Sequence, residues 1–225
     1  NYYEEGMPEI EIRLDPLLTA TENSNRYFAK YNKAKRTYAA ATVQKEQTEE
    51  ELKYLESVLT AIESAEDDSD IREIKAELTG EGYLKAKKQQ KGKSQNAKKA
   101  KPMHFVSTDG FDFYAGKSNV QNDELTLHFA DSEDIWLHTK NIPGSHVIIK
   151  CAGKELPEQT LLEAAKVAAS FSKAKNSSKV PVDYTVRKNV KKPRGAKPGM
   201  VIYEQNKTLY VDPDERLAAR LERPE

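Results

Sequence analysis

The sequence has few of the features that crosslink small secreted domains or anchor proteins in a membrane. It contains one cysteine, Cys151, among 225 residues, which excludes an internal disulfide and a zinc site built from several cysteines. Its apolar runs all fall short of the roughly 18–20 residues that a membrane-spanning helix needs. The first residues, Asn1 to Glu5, lack the basic-then-apolar pattern of a secretory signal. A chain that opens on asparagine is expected to be a fragment, so this last exclusion covers only the residues present.

Motifs of common catalytic and metal sites are also missing. There is no GxGxxG or P-loop pattern, and residues 144–146 (GSH) lack the second glycine of a nucleophile elbow. We expect Asp131, Glu133 and Asp134 to form a loop and the cap of a strand rather than a metal site. None of the histidines has the close helical spacing of a metal site: His104, His128, His138 and His146. We therefore predict that the protein is not an enzyme and has no catalytic residues, metal or cofactor.

Charge is abundant but unevenly distributed. Charged residues make up 32% of the chain, and 36 basic residues balance 36 acidic ones. Residues 1–82 hold 10 basic and 19 acidic side chains, whereas residues 83–225 hold 26 and 17. An acidic part is thus joined to a basic part, and we expect the basic part to face a polyanion.

The strongest periodic signal predicts a long helix over residues 22–63. Its apolar seam follows spacings of four and three over about five heptads, with no glycine or proline. Thr19 and Glu22 have the spacing of a capping box. The C-terminal part of the seam consists of four large aliphatic residues: Leu52, Leu55, Leu59 and Ile62.

This helix needs a partner to cover its seam. A second helix is predicted over residues 70–79, capped by Asp70 with Glu73 and stopped by Gly80, but it is too short to cover more than part of the first. The seam therefore pairs either with a second copy, as a coiled-coil dimer, or with an antiparallel helix upstream of this chain, which we favour. Residues 8–14 alternate in the manner of a strand.

The remaining pattern predicts an α+β fold, with the long coiled-coil-type helix followed by a compact mixed α/β domain. A helix is predicted over residues 157–173, and residues 205–206 are expected to join the last two strands as a hairpin. Eight strands are predicted, over residues 103–107, 111–115, 124–130, 134–138, 146–151, 181–187, 199–204 and 207–211.

The predicted organisation has four parts. Residues 1–84 form the coiled-coil segment, half of an antiparallel coiled coil; residues 85–102 form a basic linker; residues 103–213 form the folded domain; residues 214–225 form a charged tail. The linker holds eight lysines and no acidic residue, so it is either a solvated tether or an arm that lies along phosphates.

Two stretches combine the residue types that bind RNA. The first contains Trp136, His138, Lys140, Ser145, His146 and Lys150 around a Pro-Gly turn. Tryptophan and histidine can stack on bases and lysine can neutralise phosphates, although Trp136 could equally be a core residue and the histidines could serve as hydrogen-bonding groups at strand ends. The second, over residues 187–197, contains Arg187, Lys188, Lys191, Lys192, Arg194 and Lys197 with no acidic residue. Its cations would repel one another unless they meet a polyanion.

The sequence around the first stretch resembles a known family. The run DIWLHTKNIPGSHVII over residues 134–149 is similar to the signature of the NFACT-R domain, and segments of the predicted coiled coil resemble the second coiled-coil helix of the same proteins. These segments are residues 25–33, 54–59 and 71–83. The chain is identified as a C-terminal portion of an NFACT family member; bacterial members are called RqcH or fibronectin-binding protein A-like factors, and NEMF is their eukaryotic relative.

The resemblance implies a cytoplasmic role in ribosome-associated quality control. Members bind large ribosomal subunits that carry a stalled nascent chain with its tRNA, and they promote untemplated C-terminal tailing with alanine. The twelve residues of the two RNA-binding stretches are the expected contacts to RNA. The tRNA-reading N-terminal domain of the family is not in this chain. A competing interpretation is an adhesin at the cell surface that binds fibronectin or fibrinogen.

Overall fold

A computed structural model describes residues 1, 3–85 and 101–223. It divides the chain into two compact units, Asn1–Glu51 and Leu52–Glu225. Most of the predicted linker, residues 86–100, lies outside the described residues, and so do the last two residues of the predicted tail. The four domain boundaries predicted from the sequence stay predictions. The helices are α1 Ala20–Glu63, α2 Asp68–Gly80, α3 Asn119–Glu124, α4 Glu158–Ser170 and α5 Glu215–Leu221.

The first unit contains an irregular N-terminal segment and the larger part of α1. The capping box is confirmed: the backbone N–H of Thr19 donates to Glu22 Oε2 at 2.7 Å, and that of Glu22 donates to Thr19 Oγ1 at 3.3 Å. The strand predicted over residues 8–14 is wrong, because these residues have no regular structure and leave their apolar side chains exposed. A strand needs a partner for its backbone hydrogen bonds, and alternation of residue types does not supply one.

The second unit begins where α1 packs against α2. Tyr54 and Val58 of α1 are buried together with Ile74 of α2. The cap of α2 is Asp67 and not the predicted Asp70: its Oδ1 accepts from the backbone N–H of Ser69 at 2.7 Å and of Asp70 at 3.0 Å. An aspartate in that position satisfies the orphan N–H groups of the first turn, so α2 starts two residues earlier than expected.

The core of the second unit is a six-stranded antiparallel sheet in the order β1-β2-β4-β3-β5-β8, accompanied by a separate β6-β7 ribbon. Helices lie beside a sheet without parallel crossovers, which confirms the α+β class. The strands are β1 Met103–Val106, β2 Asp112–Ala115, β3 Ile135–Thr139, β4 Val147–Ile149, β5 Val180–Val186, β6 Val190–Lys191, β7 Ile202–Tyr203 and β8 Lys207–Val211.

Two predicted features of this sheet are wrong. Residues 124–130 are not a strand: after α3 the chain continues as a turn of π-helix over Leu125–Phe129, because Ser118 caps α3 by accepting from the backbone N–H of Gln121. Residues 205–206 do not close a hairpin, since β7 pairs with β6 while β8 pairs with β5. Both outcomes are decided by packing against distant strands, which local spacing does not report.

The two faces of the sheet carry different layers. Side chains alternate along β3, so Leu137 points toward α4 and the main hydrophobic core. Trp136 points to the opposite face, where it forms a second core with Leu125, Ile148 and Val190. The second face is therefore covered by the turn of π-helix and by β6, and Trp136 lies beneath them. None of the helices in the described part of the chain combines the length and the apolar character that crossing a bilayer requires.

Candidate nucleic-acid interface

Trp136 lies in the second core and offers no face to a ligand. It is 0% exposed, and its ring is packed 4.8 Å from that of Tyr203 and 5.2 Å from that of His146, measured between centroids. Stacking on a base requires an exposed aromatic face. The prediction of Trp136 as a stacking residue is thus wrong, and the residue belongs to the core.

The two predicted histidines are neutral groups packed edge to face. Their ring centroids lie 5.2 Å apart. Burial lowers the pKa of His138 to about 4 and lowers that of His146 well below its usual range. His146 is also fully engaged, with Nδ1 2.8 Å from Thr126 Oγ1. Neither ring can offer a positive charge to a phosphate at pH 7.

Ser145 is bound within the chain. Its Oγ donates to the Gly116 carbonyl oxygen at 2.6 Å, and the residue is buried. The donor of this hydroxyl is thus used within the fold, and its contact with RNA stays a prediction. Cys151 is a free cysteine and is also buried.

The two predicted lysines of this stretch differ in their surroundings. Lys150 Nζ lies 2.6 Å from Asp134 and 2.7 Å from Asp131. Burial alone would raise the pKa of Asp134, but the Lys150 ammonium and backbone donors outweigh it, and the pKa is lowered. Lys140 is 44% exposed in its side chain and lies 3.8 Å from Asp183, so of the two it is the one open to solvent.

Asp134 has a structural role that the sequence indicated. Its Oδ1 accepts from the backbone N–H groups of Cys151 and Ala152, each at 3.1 Å. This ties the start of β3 to the end of β4 and accounts for a carboxylate with no exposed surface. Among the described residues, no three acidic, histidine or cysteine side chains are grouped as metal ligands would be.

The basic loop over residues 187–197 is largely engaged within the chain. Arg187 donates from Nε to the Thr126 carbonyl oxygen at 2.6 Å and from Nη2 to the Leu127 carbonyl oxygen at 2.9 Å. Lys188 Nζ lies 3.1 Å from Glu133 Oε1. The guanidinium thus closes the end of the turn of π-helix, and the lysine is part of a surface ion pair.

Two further cations of the loop have partners in the second unit. Lys192 forms an ion pair with Asp123. Lys197 donates to the Tyr83 hydroxyl and lies 4.5 Å from the ring centroids of Tyr54 and Tyr83. The expectation of six unopposed cations is therefore wrong, because carboxylates and rings that are distant in sequence approach the loop in the fold.

The positive surface of the loop is carried by two exposed residues. Lys191 and Arg194 are exposed, and neither side chain has an ion pair within the part of the chain that the structure describes. Lys191 is the last residue of β6, and Arg194 lies in the turn that follows it. Together with Lys140, they are the predicted RNA contacts that remain open to a phosphate.

A cavity of about 300 Å³ opens near this ribbon. It lies between the end of α1, the start of α3, the turn after β3 and the segment before β7. Sequence reasoning singled out only its histidines, because its other walls come from segments far apart in the chain. Its lining includes Lys53, Asn119, His138, Asn141, Met200 and Tyr203.

Glycine is required where the segment before β7 meets α3. Gly199 has a φ of +75°, and a Cβ there would lie 2.7 Å from Asn119 Oδ1. Only glycine tolerates both the backbone conformation and this close approach. Tyr203, further along the same segment, donates its hydroxyl to Asp183 Oδ2 at 2.8 Å, which fixes its ring at the wall of the cavity.

Comparison with known families covers most of the chain. Residues 1–97 match the family described as NFACT N-terminal and middle domains, and residues 101–205 match the one described as NFACT protein RNA binding domain. This chain belongs to the NFACT family. The resemblance found in the sequence is thereby confirmed.

Individual relatives are similar along almost the whole chain. The Rqc2 homolog RqcH of Bacillus subtilis (strain 168) is 45% identical over 99% of this chain and 39% of its own length. The Rqc2 homolog RqcH of Streptococcus suis (strain 05ZYH33) is 42% identical over 96% of this chain and 38% of its own length. The chain thus spans less than half the length of these relatives.

A solved structure has the same fold. It is the C-terminal part of the fibronectin/fibrinogen-binding protein from Streptococcus suis, which is 39% identical and superposes with a TM-score of 0.81. The match covers 92% of this chain and 82% of that one. The long helix and the sheet-containing domain are therefore shared with that protein.

Proposed function

We propose that this chain is the RNA-binding part of a ribosome-associated quality-control factor. In this role it binds stalled large ribosomal subunits and tRNA in the cytoplasm and supports untemplated C-terminal alanine tailing, without catalysing a reaction itself. The observation that supports this most strongly is the match of residues 101–205 to the NFACT RNA binding domain. The identity to RqcH proteins along nearly the whole chain supports the same role.

The contacts to RNA follow from the exposed cations. Three residues contact phosphates: Lys140, Lys191 and Arg194. The lysines of residues 85–101 add further positive charge. Each phosphate that a cation neutralises releases counterions, so binding weakens steeply with salt. Lys150, Lys188 and Lys192 contribute less, because each has a carboxylate oxygen within 3.1 Å, whereas the nearest one to Lys140 is 3.8 Å away.

The test is a salt titration of binding to purified large ribosomal subunits. We expect Lys191→Glu with Arg194→Glu to weaken co-sedimentation at least tenfold at physiological salt, and to lower the slope of log K against log salt by about 1.4 to 1.8, since each phosphate contact contributes about 0.7 to 0.9. The matched control is Lys154→Glu with Lys179→Glu, which changes two exposed lysines elsewhere.

Equal effects of the two double variants would contradict the proposed contacts. The competing adhesin function is supported by the name of the similar Streptococcus suis protein. The same titration with fibronectin separates the two, because a quality-control factor binds ribosomal subunits more tightly than it binds fibronectin at equal salt.

A further inference from the structure

The cavity beside the β6-β7 ribbon has the size and setting of a ligand site. Its volume of about 300 Å³ reaches the lower end of the range for small-molecule pockets, about 300–1,000 Å³. Its walls are contributed by four separate segments of the second unit, and Gly199 permits the close approach that shapes one of them. A pocket built in this way is preformed and does not depend on a single mobile loop.

The charge of the lining selects the kind of ligand. Among the described residues that line the pocket, Lys53 alone carries a formal charge, and no carboxylate lies on the walls. A cation would find no partner there. An uncharged ring attached to a nearby anion would fit, since the ring fills the pocket while Lys53 meets the negative group.

The rings of the lining suit a flat aromatic ligand. His138 is held with its ring 5.8 Å from that of Trp136, and the Tyr203 ring lies 4.8 Å from the same tryptophan. The rings of His138 and Tyr203 are therefore both packed against Trp136. Because burial keeps His138 neutral, its ring can stack without the cost of desolvating a charge.

The same walls present hydrogen-bonding groups to the edge of such a ring. The His138 ring on the wall of the pocket is neutral, and a neutral imidazole carries one donor nitrogen and one acceptor nitrogen. Asn141 lies at the mouth, exposed, with its side-chain amide unengaged in the described part of the chain. An acceptor and an amide complement a nucleobase edge, as asparagine does with adenine.

We propose that this pocket takes one unpaired nucleobase of an RNA strand, with His138 and Asn141 at the edge of the base and Lys53 at the neighbouring phosphate. The inference rests on the proposed RNA binding and names the part of the RNA that is recognised. It differs from phosphate contact by Lys191 and Arg194, because it requires the base itself. Single-stranded RNA is recognised in this manner when unstacked bases enter protein pockets.

The test compares two probes of equal charge, a short adenosine oligonucleotide and an abasic ribose-phosphate chain of the same length. We expect the wild-type chain to bind the adenosine probe about tenfold more tightly, within the range known for base stacking on aromatic side chains. Met200→Trp fills the pocket and Asn141→Gly removes the amide while suiting the positive φ of that residue. Tyr210→Trp is the matched control, because it places the same ring on an exposed residue outside the lining, and thermal unfolding verifies that each variant folds.

The outcomes separate the two proposals. Met200→Trp should abolish the preference for the adenosine probe and leave abasic binding unchanged, whereas Tyr210→Trp should preserve the preference. If the wild-type chain binds both probes equally, the pocket does not take a base, although phosphate binding stands. If neither probe binds, the proposed RNA binding fails as well. A pocket built for a peptide side chain would show no preference between the probes and would overturn the inference.

Discussion

At the scale of single residues, the fold changes the acid–base behaviour of two histidines, His138 and His146. In an unfolded chain a histidine titrates near pH 6.5, whereas burial lowers the pKa of His138 to about 4 and depresses that of His146 as well. Between these pH values the unfolded chain binds more protons than the folded one. Stability conferred by the neutral rings is therefore fully present above pH 6.5 and is lost as the pH falls toward 4.

This predicts an acid-sensitive fold. For His138 alone, we expect the free energy of unfolding to fall by about 2 kcal/mol between pH 7 and pH 5. His138→Phe keeps a ring in place without a titrating group, so urea unfolding of this variant should show a correspondingly smaller loss. His128→Phe changes an exposed histidine and should retain the wild-type pH dependence. If the free energy of unfolding depended on pH identically in wild type and His138→Phe, His138 would not be the cause of the acid sensitivity.

At the scale of elements, a buried carboxylate joins three helices of the second unit. Glu77 of α2 accepts from the Tyr54 hydroxyl of α1 at 2.9 Å and from the Asn119 side-chain amide of α3 at 3.0 Å. Burial raises the pKa of Glu77 despite these donors, and burial beside Glu77 raises that of Tyr54, which remains a donor. A buried carboxylate is tolerated here because it has these hydrogen-bond donors.

Removing one donor should destabilise the junction. We expect Tyr54→Phe to lower the free energy of unfolding by about 1–3 kcal/mol, since it leaves a buried acceptor with one partner fewer. Tyr38→Phe removes the same atom from an exposed side chain of α1 and should change stability by about 0.5 kcal/mol or less. Urea unfolding of both variants provides the measurement. Equal losses in the free energy of unfolding would show that the Tyr54 hydroxyl does not stabilise the junction.

At the scale of the whole molecule, α1 leaves the aliphatic part of its seam open. Four seam residues have 38–56% of their surface exposed even though α2 covers the neighbouring positions: Leu52, Leu55, Leu59 and Ile62. Heptad-spaced aliphatic residues in water favour pairing with another helix. The two partners considered from the sequence, a second copy and an upstream helix, both remain predictions.

For the chain as it stands, we expect weak self-association through this seam. Sedimentation equilibrium should show dimers that increase with protein concentration. Leu55→Lys with Leu59→Lys should shift the protein to monomer, because it places charges in the apolar contact. Val43→Lys with Gln47→Lys adds the same charge outside the seam and serves as the control. A monomer at every concentration, or equal dissociation of both variants, would contradict dimerisation through these leucines.

Local features of this protein could be read from its sequence. The long helix and its Thr19–Glu22 box depend on residues three or four apart, and the first and last strands of the sheet, Met103–Val106 and Lys207–Val211, lie within the stretches predicted for them. The run over residues 124–130 failed because its polar and apolar residues fit a strand as well as a helical turn. Only the cap by Ser118 and the packing beneath the ribbon decide between them.

The amino-acid sequence by itself determined the helix periodicity, the number of charges and the membership of the NFACT family. Tertiary structure alone decided which charges are free, because Coulomb attraction depends on distance in space: Lys192 meets Asp123 and Lys188 meets Glu133 across long stretches of chain. The pocket could not be predicted from the sequence either, because its walls come from separate segments that become neighbours only in the folded protein.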